Sequence, residues 1–243
     1  MKKVETIYED ESIVVINKPA GVLTVADRFN IESVHLQSIL RKKYGEIFTI
    51  HRLDRDTSGV ICFAKNAESH KILSEQFEGR EVQKIYLALV DGQPLAHGII
   101  DEPLAESQSK RGLMKVYKKG KPSLSEYTLV KAFDRCSLVS IRIFTGRMHQ
   151  IRVHMAHIGH PLFIDSFYGR REAFFLSELK GRRYRIGKWT EEEKPLMARQ
   201  TLHSHKLKIN HPVTGKSMEF TAPLPKDMSA VIAQLEKLGK NSD

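Results

Sequence analysis

Residues 49–66 read "TIHRLDRDTSGVICFAKN". His51, Arg52, Asp54, Arg55 and Asp56 crowd into the first half, and the apolar run "GVICFA" follows at once. A short apolar run between a small-residue turn and Asn66 predicts a buried strand over 59–65. In an extended segment residues two apart share a face, so Arg52 and Asp54 project together, with His51 and Leu53 opposite. Asp56 opens the turn Thr57–Ser58–Gly59, whose small residues admit close backbone approach by a ligand. Arginines beside an aspartate favour its charged form, which suits a nucleophile and excludes a general acid. Two readings stand for this stretch alone. It is a surface ion-pair cluster around a turn, or it holds a carboxylate for chemistry. Arg55 and Asp56 read as a local ion pair.

The flanking elements set the fold class. "SIVVINKPAGVL" predicts a second buried strand, ended by a turn at Pro19–Gly21. Asn66 is a candidate cap for a helix over "AESHKILSEQFEG", with Ile72, Leu73, Gln76 and Phe77 on one side and Gly79 at its end. "KIYLALVDG" (84–92) alternates as a strand does, with Tyr86 and Ala88 on one face. "SEYTLVKAF" and "CSLVSIRIF" read as an antiparallel pair, "TLHSHKLKINHPVTGKSMEFTAP" as a hairpin turning at Pro212–Gly215, and "KDMSAVIAQLEKLG" as a closing helix. This order is not a regular βαβ repeat. It predicts an α+β fold with a mixed, largely antiparallel sheet and flanking helices. One catalytic domain over 1–243 is expected, with basic insertion loops at about 105–122 and 170–200.

The chain has 243 residues, 41% of them hydrophobic, and a formal net charge of +10. That excess points to a polyanionic partner, of which nucleic acid is the commonest. Positive charge concentrates in "KRGLMKVYKKGK" (110–121), which includes Lys110, Arg111 and Lys118, and in "KGRRYRIGK" (180–188), which includes Arg182 and Arg183. Neither stretch contains an acid. Such side chains neutralise phosphates, and a nearby aromatic stacks on an unpaired base. Cys62 and Cys136 have no metal-like spacing and imply a reducing compartment. The N-terminus turns acidic where a signal peptide needs an apolar stretch, and no apolar run is long enough to span a membrane. A cytoplasmic location is expected.

The second dense segment is "TGRMHQIRVHMAHIGHPLFIDSFYG" (145–169). Residues 149–159 have helical spacing, on which Met148, Ile151, Arg152 and Met155 lie near one face. An arginine on an apolar face needs a buried anionic partner, and an aspartate elsewhere in the chain is the natural candidate. Histidines 149, 154, 157 and 160 lack the spacing of a metal motif, and no metal is expected.

"HRLDRDTSG" and "GRMHQIRVHMAHIGHPL" with Asp165 and "YG" together resemble the two signatures of the RluA-type RNA pseudouridine synthases. "IYEDESIVVINKPAGVLTV", "QKIYLALVDG" and "LHSHKLKINHPVTG" resemble that family in order and spacing, over roughly residues 5–224. The resemblance implies the pseudouridine synthase catalytic fold, isomerisation of uridine in ribosomal or transfer RNA, and no cofactor. It implies that Asp54 is the catalytic aspartate, that Arg52 assists base flipping and holds the RNA, and that Tyr86, also catalytic, packs on the flipped base and helps proton transfer. It also implies that Arg152 pairs with the aspartate and that Leu202 is an apolar contact near the base. His51 and Arg147, inside the two signatures, are further RNA-contact candidates. Met148 stands where the family usually has a small hydroxyl residue, and Ile164 where a glycine often precedes the aspartate. Some relatives carry an N-terminal RNA-binding domain. The strand at 12–16 begins so near residue 1 that none is expected here, and a monomer is expected.

Two rival readings differ in class. "DRDTSG" fits the DxDx[T/V] pattern of aspartate-nucleophile phosphatases, but there the motif follows its apolar strand, whereas here it precedes the run. An RNA-holding module without catalysis predicts loss of the aspartate or of Arg152, and both are present.

Overall fold

A computed structural model describes residues 4–26, 34–181, 184–185 and 192–239. Its frame is one ten-stranded sheet. Along the sheet, β1 (Glu5–Glu9) and β2 (Ile13–Lys18) lead to β4 (Ser58–Ala64), then to β11 (Leu202–Asn210) and β5 (Gln83–Asp91). Next come β10 (Cys136–Ile143), β9 (Leu124–Ala132) and β6 (His97–Asp101). β3 (Phe48–Thr49) pairs with β4, and β12 (Ser217–Thr221) with β11. All these pairings are antiparallel except one. The start of β11 runs parallel to the start of β4, with His203 opposite Ser58 and Ser204 opposite Gly59. The expected mixed, largely antiparallel sheet is therefore present.

Helices cover both faces. α1 (Leu36–Tyr44) and α3 (Gln150–His157) bury Leu36, Leu40, Ile151 and Met155 against Val14, Ile16, Ile61, Phe63, Ala88 and Val139. On the other face α2 (Ala67–Glu78) packs Leu73 among Ile13, Val15, Val60, Cys62 and Leu207. Further along that face α5 (Lys226–Gly239) packs Met228, Val231 and Leu235 around Leu89 and Leu138. Burial on two faces explains why β4 reads as an unbroken apolar run: every residue from Ser58 to Ala64 is buried. Asn66 caps α2 as expected, its Oδ1 accepting from the Ser69 amide at 2.9 Å.

Several expectations need correction. Residues 105–122 are not simply a loop, because β7 (Leu104–Glu106) and β8 (Met114–Val116) pair there. The 170–200 stretch is anchored too: Phe174 and Met197 form an isolated bridge in the core, and α4 (Leu176–Lys180) lies between them. Met148 does not share the buried face of α3. It precedes the helix and is 45% exposed. Arg55 and Asp56 form no ion pair with each other; it is their carbonyls that are engaged. The Arg55 carbonyl accepts from Lys18 Nζ at 2.9 Å and from the Gly21 amide, and the Asp56 carbonyl accepts from Arg199.

The turn 57–59 does admit a close approach, but the visitor is a strand. Gly59 has φ +113, and a Cβ there would meet the Ser204 carbonyl oxygen at 2.1 Å. Only glycine allows β11 to seat beside β4. Gly59→Ala combines backbone strain with a backbone clash that no side-chain motion relieves. It should destabilise the fold by more than about 3 kcal/mol, read as a lower denaturant midpoint. A stability within experimental error of wild type would refute this account of the junction.

Candidate active site

The Asp54 loop, the start of β5 and the approach to α3 converge on a cavity of about 680 Å³. His51, Arg52, Asp54, Tyr86, Arg147, Arg152 and Leu202, which come from four separate stretches of sequence, all line it. Lys110, Arg111 and Lys118 do not line it. They are exposed on and beside the β7–β8 hairpin, whose second strand packs near α3. Arg182 and Arg183 lie outside the described residues.

Two buried cations hold the segments that surround the cavity. Lys18, at the end of β2, has no exposed surface. Its Nζ donates to the carbonyls of Pro19 (3.2 Å), Val22 (2.7 Å) and Arg55 (2.9 Å). An ammonium held by carbonyls ties the Asp54 loop to the Pro19–Gly21 turn. Thr24 reinforces this, its hydroxyl donating to the Leu53 carbonyl and accepting from the Leu53 amide.

The second cation is Arg152, 4% exposed on α3. Its Nε and Nη2 form a fork onto Asp165, at 2.7 and 2.8 Å. Its remaining Nη1 reaches Asp54 Oδ2 at 3.4 Å. The expected partner of Arg152 is thus joined by a stronger one, Asp165, which the sequence marks only as a motif position. Burial alone would raise the Asp165 carboxyl, but the Arg152 hydrogen bonds and charge, with the Phe167 and Tyr168 amides, hold it below its ordinary value. Burial works against the Arg152 charge as well, and Asp165 with Asp54 outweighs it, so the guanidinium is held firmly protonated. The rings of Tyr168 and Phe167 flank the guanidinium carbon at 4.9 and 5.5 Å.

Loop 145–150 is organised by Gln150, whose role the sequence pattern does not reveal. Its Oε1 accepts from the Thr145 hydroxyl (2.7 Å) and the Arg147 amide (3.0 Å), and its Nε2 donates to the Leu124 carbonyl and Ser125 hydroxyl. His149 adopts a left-handed backbone, φ 55, which turns its ring toward the site. Its Nδ1 pairs with the Tyr168 hydroxyl at 2.8 Å, and its Nε2 lies 3.9 Å from Asp54. Burial keeps His149 below the usual histidine range despite the Asp54 charge.

The other histidines of this segment are dispersed. His154 pairs with Ser125 and the Glu102 carbonyl, His160 with the Asp91 carbonyl, and His157 lies 3.9 Å from Glu102. His51 has a job within the protein. Its Nε2 accepts from the Cys62 amide at 3.1 Å, and its ring stacks on Phe77 at 4.7 Å. Burial, with the charge of Lys84, pushes its pKa to about 3, so the ring is neutral. These contacts brace the Asp54 loop, while His51 also lines the cavity. Tyr86 is buried, and burial raises its hydroxyl above the usual range against a hydrogen bond with Ser204. Leu202 is buried on the adjacent strand. Ile164 sits in the core, its amide bonded to Thr201, so the chain entering Asp165 runs without a glycine.

A partly exposed carboxylate lies beside a buried guanidinium, in a cavity lined by a tyrosine and a leucine, on an α+β sheet. Residues 12–157, more than half the chain, match the RNA pseudouridylate synthase family. A ribosomal large subunit pseudouridine synthase D from Zymomonas mobilis is 33% identical over 98% of this chain and 74% of its own. The solved human RNA pseudouridylate synthase domain containing 1 is 26% identical, with a TM-score of 0.68 over 92% of this chain and 84% of its own. The human RNA pseudouridylate synthase domain containing 4, at 22% identity, shares the fold, with a TM-score of 0.72 over 95% of this chain and 92% of its own. The chain belongs to the RNA pseudouridine synthases, isomerases that convert uridine in RNA to pseudouridine.

The Arg152–Asp165 pair yields a prediction with a sign. Asp165 is held below its ordinary 3.8, so its contribution to stability is present above that pH and is lost as pH falls through the lower folded value. Asp165→Asn should cost about 3–5 kcal/mol at neutral pH by leaving Arg152 half-paired. The stability curves of variant and wild type, measured by urea unfolding, should begin to approach each other only below pH 3.8. Parallel curves across that window would refute the assignment.

Proposed function

We propose that this chain isomerises uridine in large-subunit ribosomal RNA, with Asp54 as the catalytic carboxylate. The observation that carries this reading is the geometry of Asp54: anchored by Arg152 at 3.4 Å, yet with its side chain 29% exposed to the cavity. Glycosidic cleavage builds positive charge on the sugar, so an ionised carboxylate beside it serves as nucleophile or stabiliser. The freed base turns and rejoins the sugar through its C5 carbon, which then gives up its proton. The target base must leave its stack, at a cost of a few kcal/mol. Tyr86 and Leu202 receive it, Arg52 at the exposed rim fills or holds the gap it leaves, and Arg147 contacts the backbone. The choice of ribosomal RNA rests on the names of relatives such as that of Zymomonas mobilis. Free, buried Cys62 and Cys136 fit a reducing cytoplasm, and we take the working unit to be a monomer.

Pseudouridine mapping of ribosomal RNA tests the reading. In cells lacking the gene, wild type should restore the missing site or sites. Asp54→Asn should fall by on the order of 10³-fold in purified assays, the scale of removing a catalytic group. Full restoration by Asp54→Asn would overturn the role of Asp54, and missing sites confined to transfer RNA would overturn the choice of substrate. Neutralising Lys110, Arg111 and Lys118 together should weaken RNA binding and reduce its salt slope by about one unit for each phosphate no longer neutralised. An unchanged salt titration would remove the hairpin from the RNA-binding surface.

A further inference from the structure

Lys84 is a cavity residue to which isomerisation by Asp54 assigns no task. It stands at the start of β5, two residues before Tyr86, so both side chains project from the same face of the strand. It is 9% exposed, yet it lines the cavity. Its Nζ donates no hydrogen bond to any described residue and, among those residues, has no carboxylate within ion-pair range. The charge that presses on it, that of Arg147, is of like sign, and neighbouring His51 is uncharged. Glu78 also lines the cavity but forms no ion pair with it. The face of Phe77 lies 5.7 Å from Nζ. Burial, aided by Arg147, pushes the Lys84 pKa down to about 8. A buried cation without a counter-charge is costly, and the fold elsewhere avoids it, as Lys18 with its carbonyls and Arg152 with its aspartates attest.

We propose that Lys84 and Arg147 form a phosphate subsite that binds a backbone phosphodiester next to the flipped nucleotide. The inference rests on the reading that this cavity receives a nucleotide of RNA. A phosphodiester supplies the missing negative charge, whereas a neutral uracil edge does not. The spacing agrees, since two residues along a strand place Lys84 about 7 Å from Tyr86. That leaves room for one sugar between a base on Tyr86 and a phosphate on Lys84. Arg147 lines the same cavity as Lys84 and its charge is felt there, while Gln150 and the Pro122 carbonyl hold its backbone and its Nε. Binding an anion also restores the Lys84 ammonium to its ordinary protonation.

Two measurements on the intact protein test this. In the first, lysine side-chain carbons are labelled and the Lys84 resonance is assigned with Lys84→Arg. Inorganic phosphate, added to tens of millimolar, should raise the Lys84 titration midpoint, and Arg147→Met should reduce that rise. A midpoint that ignores phosphate, or moves equally with chloride at matched ionic strength, overturns the subsite. In the second, ribosomal RNA from cells lacking the gene is bound to Asp54→Asn protein, which permits binding without turnover. Adding Lys84→Met should weaken affinity about tenfold and lower the salt slope by about one, while Lys84→Arg should retain both. Equal affinity and slope for Lys84→Met, in a protein of unchanged melting temperature, overturns it as well. Absence of pseudouridine formation by wild type would sink the enzyme reading without touching either result.

Discussion

The fork from Arg152 to Asp165 is the contact on which the site depends. A guanidinium this deeply buried is tolerable only because its charge is matched and its donors are placed. Asp165 does both, and it also accepts from the amides of Phe167 and Tyr168. One carboxylate thereby fixes the helix that carries Arg152 to the segment that follows it. Tyr168 extends the connection, since its hydroxyl meets His149 and accepts from the Met114 amide on β8. A displaced Asp165 would therefore disturb the helix, the left-handed turn before it and the basic hairpin together.

The Asp54 loop is set by a different constraint. Its position follows from the parallel seam between β4 and β11, where Gly59 lets the Ser204 backbone approach and Ser58 pairs with His203 at 2.9 Å. On its other side β11 pairs with β5, which sets Leu202 opposite Ala88, two residues along from Tyr86. Lys18 then holds the loop from the opposite side. The candidate site is the meeting of two rigid attachments, one through the sheet and one through a buried ion pair. Residues so attached hold their geometry better than residues on free loops.

The main strands and three of the helices could be read from the sequence because local pattern and tertiary context agree there. β4 is apolar throughout, β5 alternates, and α2 carries its cap at Asn66. α1 was not legible: its N-cap is His35 and it has no acid in its first turn, so it lacks the usual start signals. The hairpin β7–β8 is too short and too charged to stand out. In the site, Asp54, Tyr86, Arg152 and Leu202 were recognisable as motif positions, and they do meet at one cavity. What the residues could not tell is which acid Arg152 grips, because fork geometry is tertiary. Nor could they tell that Gly59 serves a strand, that His51 faces inward, or that Lys84 is buried. On an alternating strand a lysine reads as the solvent side until the opposite wall is known.

An enzyme that cleaves a glycosidic bond within a polyanion faces opposed electrostatic demands. Phosphates require cations along the groove, while the developing charge on the sugar requires a carboxylate that those cations have not neutralised. The arrangement around Arg152 reconciles them. Asp165 takes the two short hydrogen bonds, at 2.7 and 2.8 Å, and leaves Asp54 only the longer contact at 3.4 Å. Asp54 is thereby oriented by the guanidinium while most of its hydrogen-bonding capacity faces the cavity. Under the proposed reading the unmatched cations, Lys84 and Arg147, stand where the backbone passes rather than against Asp54. Negative charge for the sugar and positive charge for the phosphate are thus separated along the wall of one cavity, and the substrate supplies the complement to each.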